Sequence, residues 1–165
     1  MVVGLFGQSC VGKTTLGAAL CADLDIRLRS CGELIRDEAR QLGVAVADLP
    51  DTLHHAVDAA TREWLVTSRE GIVEGRYLNY VLAASIVRPR LIHLTAPDDV
   101  RQKRWQVRAG HACSVEDLRA VDELDTALVK RLYTEQIPLP PEYTVDTSTM
   151  SVPDCVHEIR RWMES

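Results

Sequence analysis

The sequence predicts an α/β three-layer fold, a parallel sheet with helices on both faces. Short buried-looking runs, Val2–Phe6, Gly71–Glu74 and Arg90–Leu94, alternate with longer segments of helical periodicity. Strands covered on both faces read as continuous apolar runs, and their alternation with helices is the pattern of a parallel sheet. The first run also ends in a glycine-rich turn that opens a helix, Gly7 to Leu16.

Each element has its own signal. Val2–Phe6 is a first strand and Lys13–Asp23 an Ala/Leu-rich helix. Ile26–Arg29 is short enough only for a brief second strand. Gly32–Gly43 carries Leu34, Ile35, Ala39 and Leu42 at helical spacing, with Gly43 as the stop. Pro50-Asp51 restarts a helix through Leu53, Val57, Ala60 and Trp64 to about Ser68. Strands follow at Gly71–Glu74 and Arg90–Leu94. Pro97 stands at the first position of a helix that runs to Gly110, with Asp98 and Asp99 near its positive end. Ser114 caps the next helix, with Asp117 three residues on as a shortened capping box, and this helix continues to about Glu135. IPLPP breaks it. Tyr143–Asp146 is the last strand and Pro153–Met163 the last helix. No repeat or interdomain linker interrupts residues 1–165, which read as one domain.

Composition narrows the function classes. A net charge of −5 gives no basic surplus for wrapping nucleic acid. The five cysteines, 10, 21, 31, 113 and 155, are scattered without CxxC or metal-ligand spacing. No signal peptide or stretch of about 20 apolar residues is evident. These features suggest a reduced, cytoplasmic protein with neither nucleic acid nor membrane as partner; the expected partner is a small-molecule acceptor, and of the open oligomeric states a monomer is favoured.

Gly7-Gln8-Ser9-Cys10-Val11-Gly12-Lys13-Thr14 matches G-x-x-x-x-G-K-[ST], the phosphate loop. Its glycines let the backbone curl so that N–H groups face phosphate oxygens, and the following helix offers its unpaired N–H groups to the same anion. Residues 7–14 together with Thr15 therefore form a site for ATP; Lys13 reaches the β- and γ-phosphates and Thr14 gives its hydroxyl to Mg²⁺. Ligands on such sheets bind at the carboxyl ends of the strands, where Gly7, Glu74 and Thr95 should meet.

Arginines supply the other half of a transfer site. Arg36 lies one turn into the second helix and Arg76 follows the third strand. Arg101, Arg104 and Arg108, spaced by three and four, share one helix face. Converging cations neutralise the charge that spreads over a moving phosphoryl group. A solvated face, with Asp98 and Asp99 pairing to the row, is the competing reading. Glu74 stands at a strand end, where it can accept a proton, hold a metal-bound water, orient Arg76 or simply form a salt bridge.

In these segments the chain resembles the cytidylate kinase family, especially its compact archaeal branch. The phosphate loop is followed by Ser30-Cys-Gly32-Glu-Leu-Ile-Arg36, similar to the family's S-x-G-(D/E)-x-x-R segment. Next come Gly71-Ile-Val-Glu74-Gly75-Arg76, similar to the V-(I/V)-E-G-R strand end, Val100–Gly110, whose arginines 101, 104 and 108 are spaced as in its lid, and Lys130-Arg131 with Tyr133, similar to K-R-Y. Val145–Ser148 looks like the final strand near the adenine site. The resemblance implies a P-loop kinase with a five-stranded parallel core, an adenylate-kinase-like arrangement with an acceptor-binding helical segment at about 32–68 and a mobile lid at about 101–115. It further implies that Ser30, Gly32, Arg36, Glu74, Gly75 and Arg76 hold the acceptor, and that Arg101, Arg104, Arg108 and Arg131 embrace the phosphates. Where the family places residues that read cytosine, this chain offers His54, His55, Asp58 and Arg62, of which His54, Asp58 and Arg62 share one face.

The expected activity is transfer of the γ-phosphoryl of ATP to CMP, dCMP or a modified pyrimidine nucleotide, with Lys13, Glu74, Arg76, Arg104 and Arg108 at the reacting groups. Two rivals remain: a shikimate-type or antibiotic-modifying hydroxyl kinase that uses Glu74 as base, and a non-catalytic ATP-binding module. No N-K-x-D guanine signature is present.

Overall fold

The computed structural model describes residues 1–165. Five strands, β1 Val2–Phe6, β2 Leu28–Ser30, β3 Gly71–Gly75, β4 Arg90–Thr95 and β5 Tyr143–Asp146, form one sheet in the order β2-β3-β1-β4-β5. Every pairing is parallel, with Gly4 opposite Val73 on one side and Leu91 on the other. Residues of the central strand are buried throughout and point alternately to two faces. Val3 and Leu5 pack with Leu16, Leu20, Val156 and Ile159, from α1 Lys13–Leu24 and α7 Val152–Glu164. Val2 and Phe6 pack with Leu65, Leu78, Val81 and Leu132, from α3 Asp51–Thr67, α4 Leu78–Val81 and α6 Val115–Leu132. The two clusters are the two interfaces of a three-layer sandwich. α2 Cys31–Leu42 and α5 Asp98–Ala109 complete the helices.

Local chemistry sets the ends. Ser30 accepts from the Glu33 N–H and Gly43 closes α2 in a left-handed conformation. Ser114 and Asp117 exchange both hydrogen bonds of a capping box at the start of α6. Four expectations shift. Asp25 is left-handed and the Ile26 N–H bonds back to Cys21, so residues 25–27 are the exit turn of α1 and β2 begins at Leu28. Pro97 is the N-cap of α5 rather than its first helical residue, because its ψ of 154° is extended. α6 stops at Leu132, since Tyr133 leaves helical geometry to bury its ring, 5% exposed, under α3 and α4. α4, with the 3₁₀ turn Leu82–Ala84, carries no periodic signal because it is a single turn long. No helix is long and apolar enough to cross a membrane.

Candidate active site

β1 delivers the chain to the carboxyl edge of the sheet, where the phosphate loop begins. Gly7 has φ 146°, and a Cβ there would lie 2.3 Å from the Leu94 carbonyl oxygen on β4, so the turn admits only glycine. Cys10 and Gly12 are both left-handed, φ 64° and 94°, and left-handed residues curl successive N–H groups into an anion-binding concavity. Gly12 caps α1 without a side-chain acceptor, which leaves the first N–H groups of the helix open to a ligand. Val11 is buried and anchors the loop, while Gln8 turns outward and donates to Asp122 at 3.2 Å. The buried Lys13 ammonium donates to the Gly7 and Gln8 carbonyls at 2.8 and 2.6 Å. Burial lowers its pKa from 10.5 to about 8.

Glu74, at the end of β3, is 2% exposed. The hydroxyls of Ser30 and Thr14 both donate to its Oε1, Thr14 at 3.2 Å, which fixes the carboxylate against the start of α1. A hydroxyl beside a carboxylate at a phosphate loop is a donor set suited to Mg²⁺, which takes a few protein oxygens and completes its shell with phosphate and water. No group of three or more His, Cys, Asp or Glu residues forms a metal cage elsewhere.

A cleft of about 910 Å³ opens beside the loop. Ser9, Cys10, Gly12, Lys13, Thr14 and Thr15 line one part of it, and Gly32, Arg36, Glu74, Gly75 and Arg76 another. Arg104 and Arg108 reach it from α5. Arg104 is held in place: its Nη1 donates to Thr147 Oγ1 at 2.8 Å and its Nη2 to the Thr147 carbonyl at 2.7 Å. The Thr147 hydroxyl in turn donates to the Val11 carbonyl at 2.8 Å, so one residue after β5 joins Arg104 and the loop. Arg76 gives its Nη1 to both oxygens of Asp125 on α6.

Eight of the expected residues do not line the cleft. Arg101 shares the loop-facing side of α5 with Arg104, but it sits at the inner end of the helix and is 1% exposed. Its Nε donates to the Ser9 carbonyl at 2.8 Å and its Nη2 to both Asp122 oxygens at 2.7 and 2.8 Å, so it supports the loop from beneath instead of lining the cleft. Arg131 is paired with Asp51 on α3. Asp58 is buried and accepts from the Tyr133 hydroxyl at 2.6 Å, and Arg62 donates to the Val81 carbonyl at 3.3 Å. His54 and Asp58 are buried, and neither they nor Arg62 line the cleft. Burial raises the pKa of Asp58 and lowers that of His54. Ser30 is behind Glu74, and Gly7, Gln8 and Val11 shape the loop without lining the cleft. Asp122 and Asp125 are participants with no place among the expected residues, and Thr147, within the segment expected near the adenine, gains a further part as the link between Arg104 and the loop. The spacing of the two acids on α6, i and i+3, was their one available signal.

A complete phosphate loop on the first strand of this parallel sheet, faced by arginines from separate helices, defines the class: an ATP-dependent kinase of the P-loop type. The comparisons agree. The chain is 28% identical to a cytidylate kinase of Pyrobaculum neutrophilum, over 94% of its own length and 89% of the relative's. It is 26% identical to a cytidylate kinase of Methanosphaerula palustris, over 98% and 90%. Among solved structures it resembles a putative kinase from Chloroflexus aurantiacus, with TM-score 0.65 and 20% identity over 99% of this chain and 95% of that one. It also resembles a shikimate kinase from Bacteroides thetaiotaomicron, with TM-score 0.63 and 19% identity over 100% and 99%. No protein-family model matches the chain.

Proposed function

We propose that the protein transfers the γ-phosphoryl group of ATP to the phosphate of a pyrimidine nucleoside monophosphate, CMP, dCMP or a modified form. The observation that carries this reading is the cleft itself: cations from four separate segments, Lys13, Arg36, Arg76, and Arg104 with Arg108, border one space beside the loop. That arrangement suits two anions that must meet. The similarity to cytidylate kinases over nearly the whole chain supports the same acceptor class.

The loop N–H groups and Lys13 hold the donor phosphates. Arg36 and Arg76 hold the acceptor phosphate near Glu74. Thr14 and Glu74 would hold Mg²⁺, which when bound neutralises charge on the donor phosphates. An acceptor phosphate oxygen is already anionic, so positioning and charge neutralisation suffice and no strong base is required. Arg104 and Arg108 ride on α5, within the 101–115 lid, and its closure over the cleft excludes water and gates turnover. Base recognition falls to residues that border the cleft, since His54, Asp58 and Arg62 do not line it.

One observation favours a second reading, phosphorylation of a hydroxyl group. Glu74 receives both of its hydrogen bonds on Oε1, leaving Oε2 free to take a proton. The test is a panel of CMP, dCMP, UMP, AMP, shikimate and gluconate with ATP, read as ADP formed and product identified by mass. Turnover of CMP or dCMP above all others is expected. Turnover of a hydroxyl acceptor alone refutes the nucleotide reading, and ATP binding without turnover on any acceptor refutes both.

A further inference from the structure

α6 carries two carboxylates one turn apart, and each holds an arginine: Asp122 holds Arg101, which supports the phosphate loop from beneath, and Asp125 holds Arg76, which lines the cleft. Asp122 takes both bonds from the Arg101 Nη2 and one from Gln8, and Arg101 passes the contact on to the Ser9 carbonyl. Asp122 thus ends at the donor loop. Asp125 takes both of its bonds from the Nη1 of Arg76. It ends at the acceptor wall.

A guanidinium has five N–H donors, and its Nε and one Nη form an edge that matches two phosphate oxygens. In Arg76 the Nη1 is committed to Asp125, and no protein hydrogen bond falls to Nε or Nη2. Arg76 lines the cleft with its side chain 37% exposed, while Asp125 is 21% exposed. An exposed arginine without such a partner samples many rotamers and loses that freedom on binding.

We infer that Asp125 is a positioning residue: its carboxylate grips Arg76 from behind and aims the Nε/Nη2 edge into the cleft at the acceptor's phosphate. Asp122 performs the parallel service for the donor loop, so the single helix α6 aligns both halves of the site. The identity of the acceptor rests on the function proposed above, but the grip on its phosphate does not require a particular base.

The test separates the two claims. Inorganic phosphate is titrated calorimetrically into enzyme saturated with a non-hydrolysable β,γ-imido ATP analogue and Mg²⁺, which fills the loop and leaves the acceptor place. Asp125→Asn should bind phosphate about tenfold more weakly than wild type, the size of effect that follows loss of an orienting partner. Asp125→Glu keeps the charge but lengthens its reach, and should fall between the two. With CMP as acceptor, Asp125→Asn should raise the acceptor KM while the ATP KM stays put, and Asp122→Asn should do the reverse. Thermal melts establish that each variant is folded; if Asp125→Asn is not, Asp125→Glu carries the test. Equal or tighter phosphate binding in the folded Asp125 variants would mean that the carboxylate competes with the acceptor, and would overturn the proposal. So would failure of the wild type to bind phosphate, or identical kinetic effects of the two asparagine variants. Phosphate binding of the expected pattern without CMP turnover would sink the nucleotide reading and leave Asp125 in its role.

Discussion

Arg101 offers the sharpest check on the site, because its sequence position suggests one role and its surroundings another. Replacing it with Met keeps an unbranched side chain of similar reach and removes the charge. The structure then loses the bond to the Ser9 carbonyl, both bonds to Asp122 and the 3.2 Å pair with Asp98. The Asp98 pair is exposed on its acid side and contributes little, roughly 0–1 kcal/mol. Asp122 is 18% exposed and keeps Gln8 as a donor, so its charge is not wholly stranded. Breaking a buried pair by removing one partner costs about 3–5 kcal/mol, and partial access to water places this case near the lower end, about 3 kcal/mol. For a chain of this length that corresponds to a fall in Tm of roughly 6–12 °C. Urea unfolding and thermal melts read the loss directly, and a double-mutant cycle with Asp122→Asn should show strong coupling. If Arg101→Met unfolds at the wild-type midpoint yet loses turnover, Arg101 acts on the transferring group and the assignment beneath the loop is wrong.

Gly7→Ala forces a Cβ against a backbone oxygen at a disallowed φ, and should destabilise by about 3 kcal/mol and abolish ATP binding. Gly43→Ala, left-handed but with nothing within 4 Å of the new Cβ, should cost only about 1 kcal/mol, as denaturant titrations of the pair will report. Lys13 is protonated below about pH 8 and increasingly neutral above it. Triphosphate binding favours the ammonium, so above pH 8 binding should take up a proton and weaken as pH rises; calorimetry in buffers of different ionisation enthalpy measures the uptake, and none at pH 9 would refute the burial argument. Glu74→Gln should slow turnover of a nucleotide acceptor about tenfold, against about 10²–10⁴-fold if Glu74 is the base for a hydroxyl, a difference that steady-state kinetics resolves.

The strands, the loop and the order of the helices were legible because each rests on local signals: apolar runs, caps, a motif of fixed spacing. The arginine row shows where such signals stop. Periodicity puts Arg101, Arg104 and Arg108 on one side of α5, but it says nothing about depth. β4 delivers α5 at the edge of the sheet, so its first turn lies under the loop and its last turn lies over the cleft; Arg101 is buried and Arg108 exposed for that reason. The polar row on α3 meets the same limit. Asp58 looked free to read a base, but Tyr133, distant in the sequence, lies over it, and a contact of that span has no local signature. Asp122 and Asp125 were hidden by their ordinariness, since acids at i and i+3 are what a solvated helix face also shows.

The distribution of partners bears on how the site closes. Of the arginines at or near the cleft, Arg76 and Arg101 are neutralised by the acids of α6, and Arg104 is bound to Thr147. Arg36 on α2 and Arg108 on α5 border the cleft with no carboxylate within 4 Å. The chain is acidic overall, at −5, yet this cleft gathers uncompensated positive charge, which draws anions to it. Bringing α5 closer to α2 and Lys13 would concentrate like charges, so the proposed closure would be resisted until phosphates lay between them. On the proposed function, donor phosphates at the loop would relieve the repulsion around Lys13, and the acceptor's phosphate would relieve it at Arg36. If residues 101–115 close as a lid, as proposed, the charges that would bind the two substrates also oppose closure when only one is present, and hydrolysis of ATP without an acceptor should be slow.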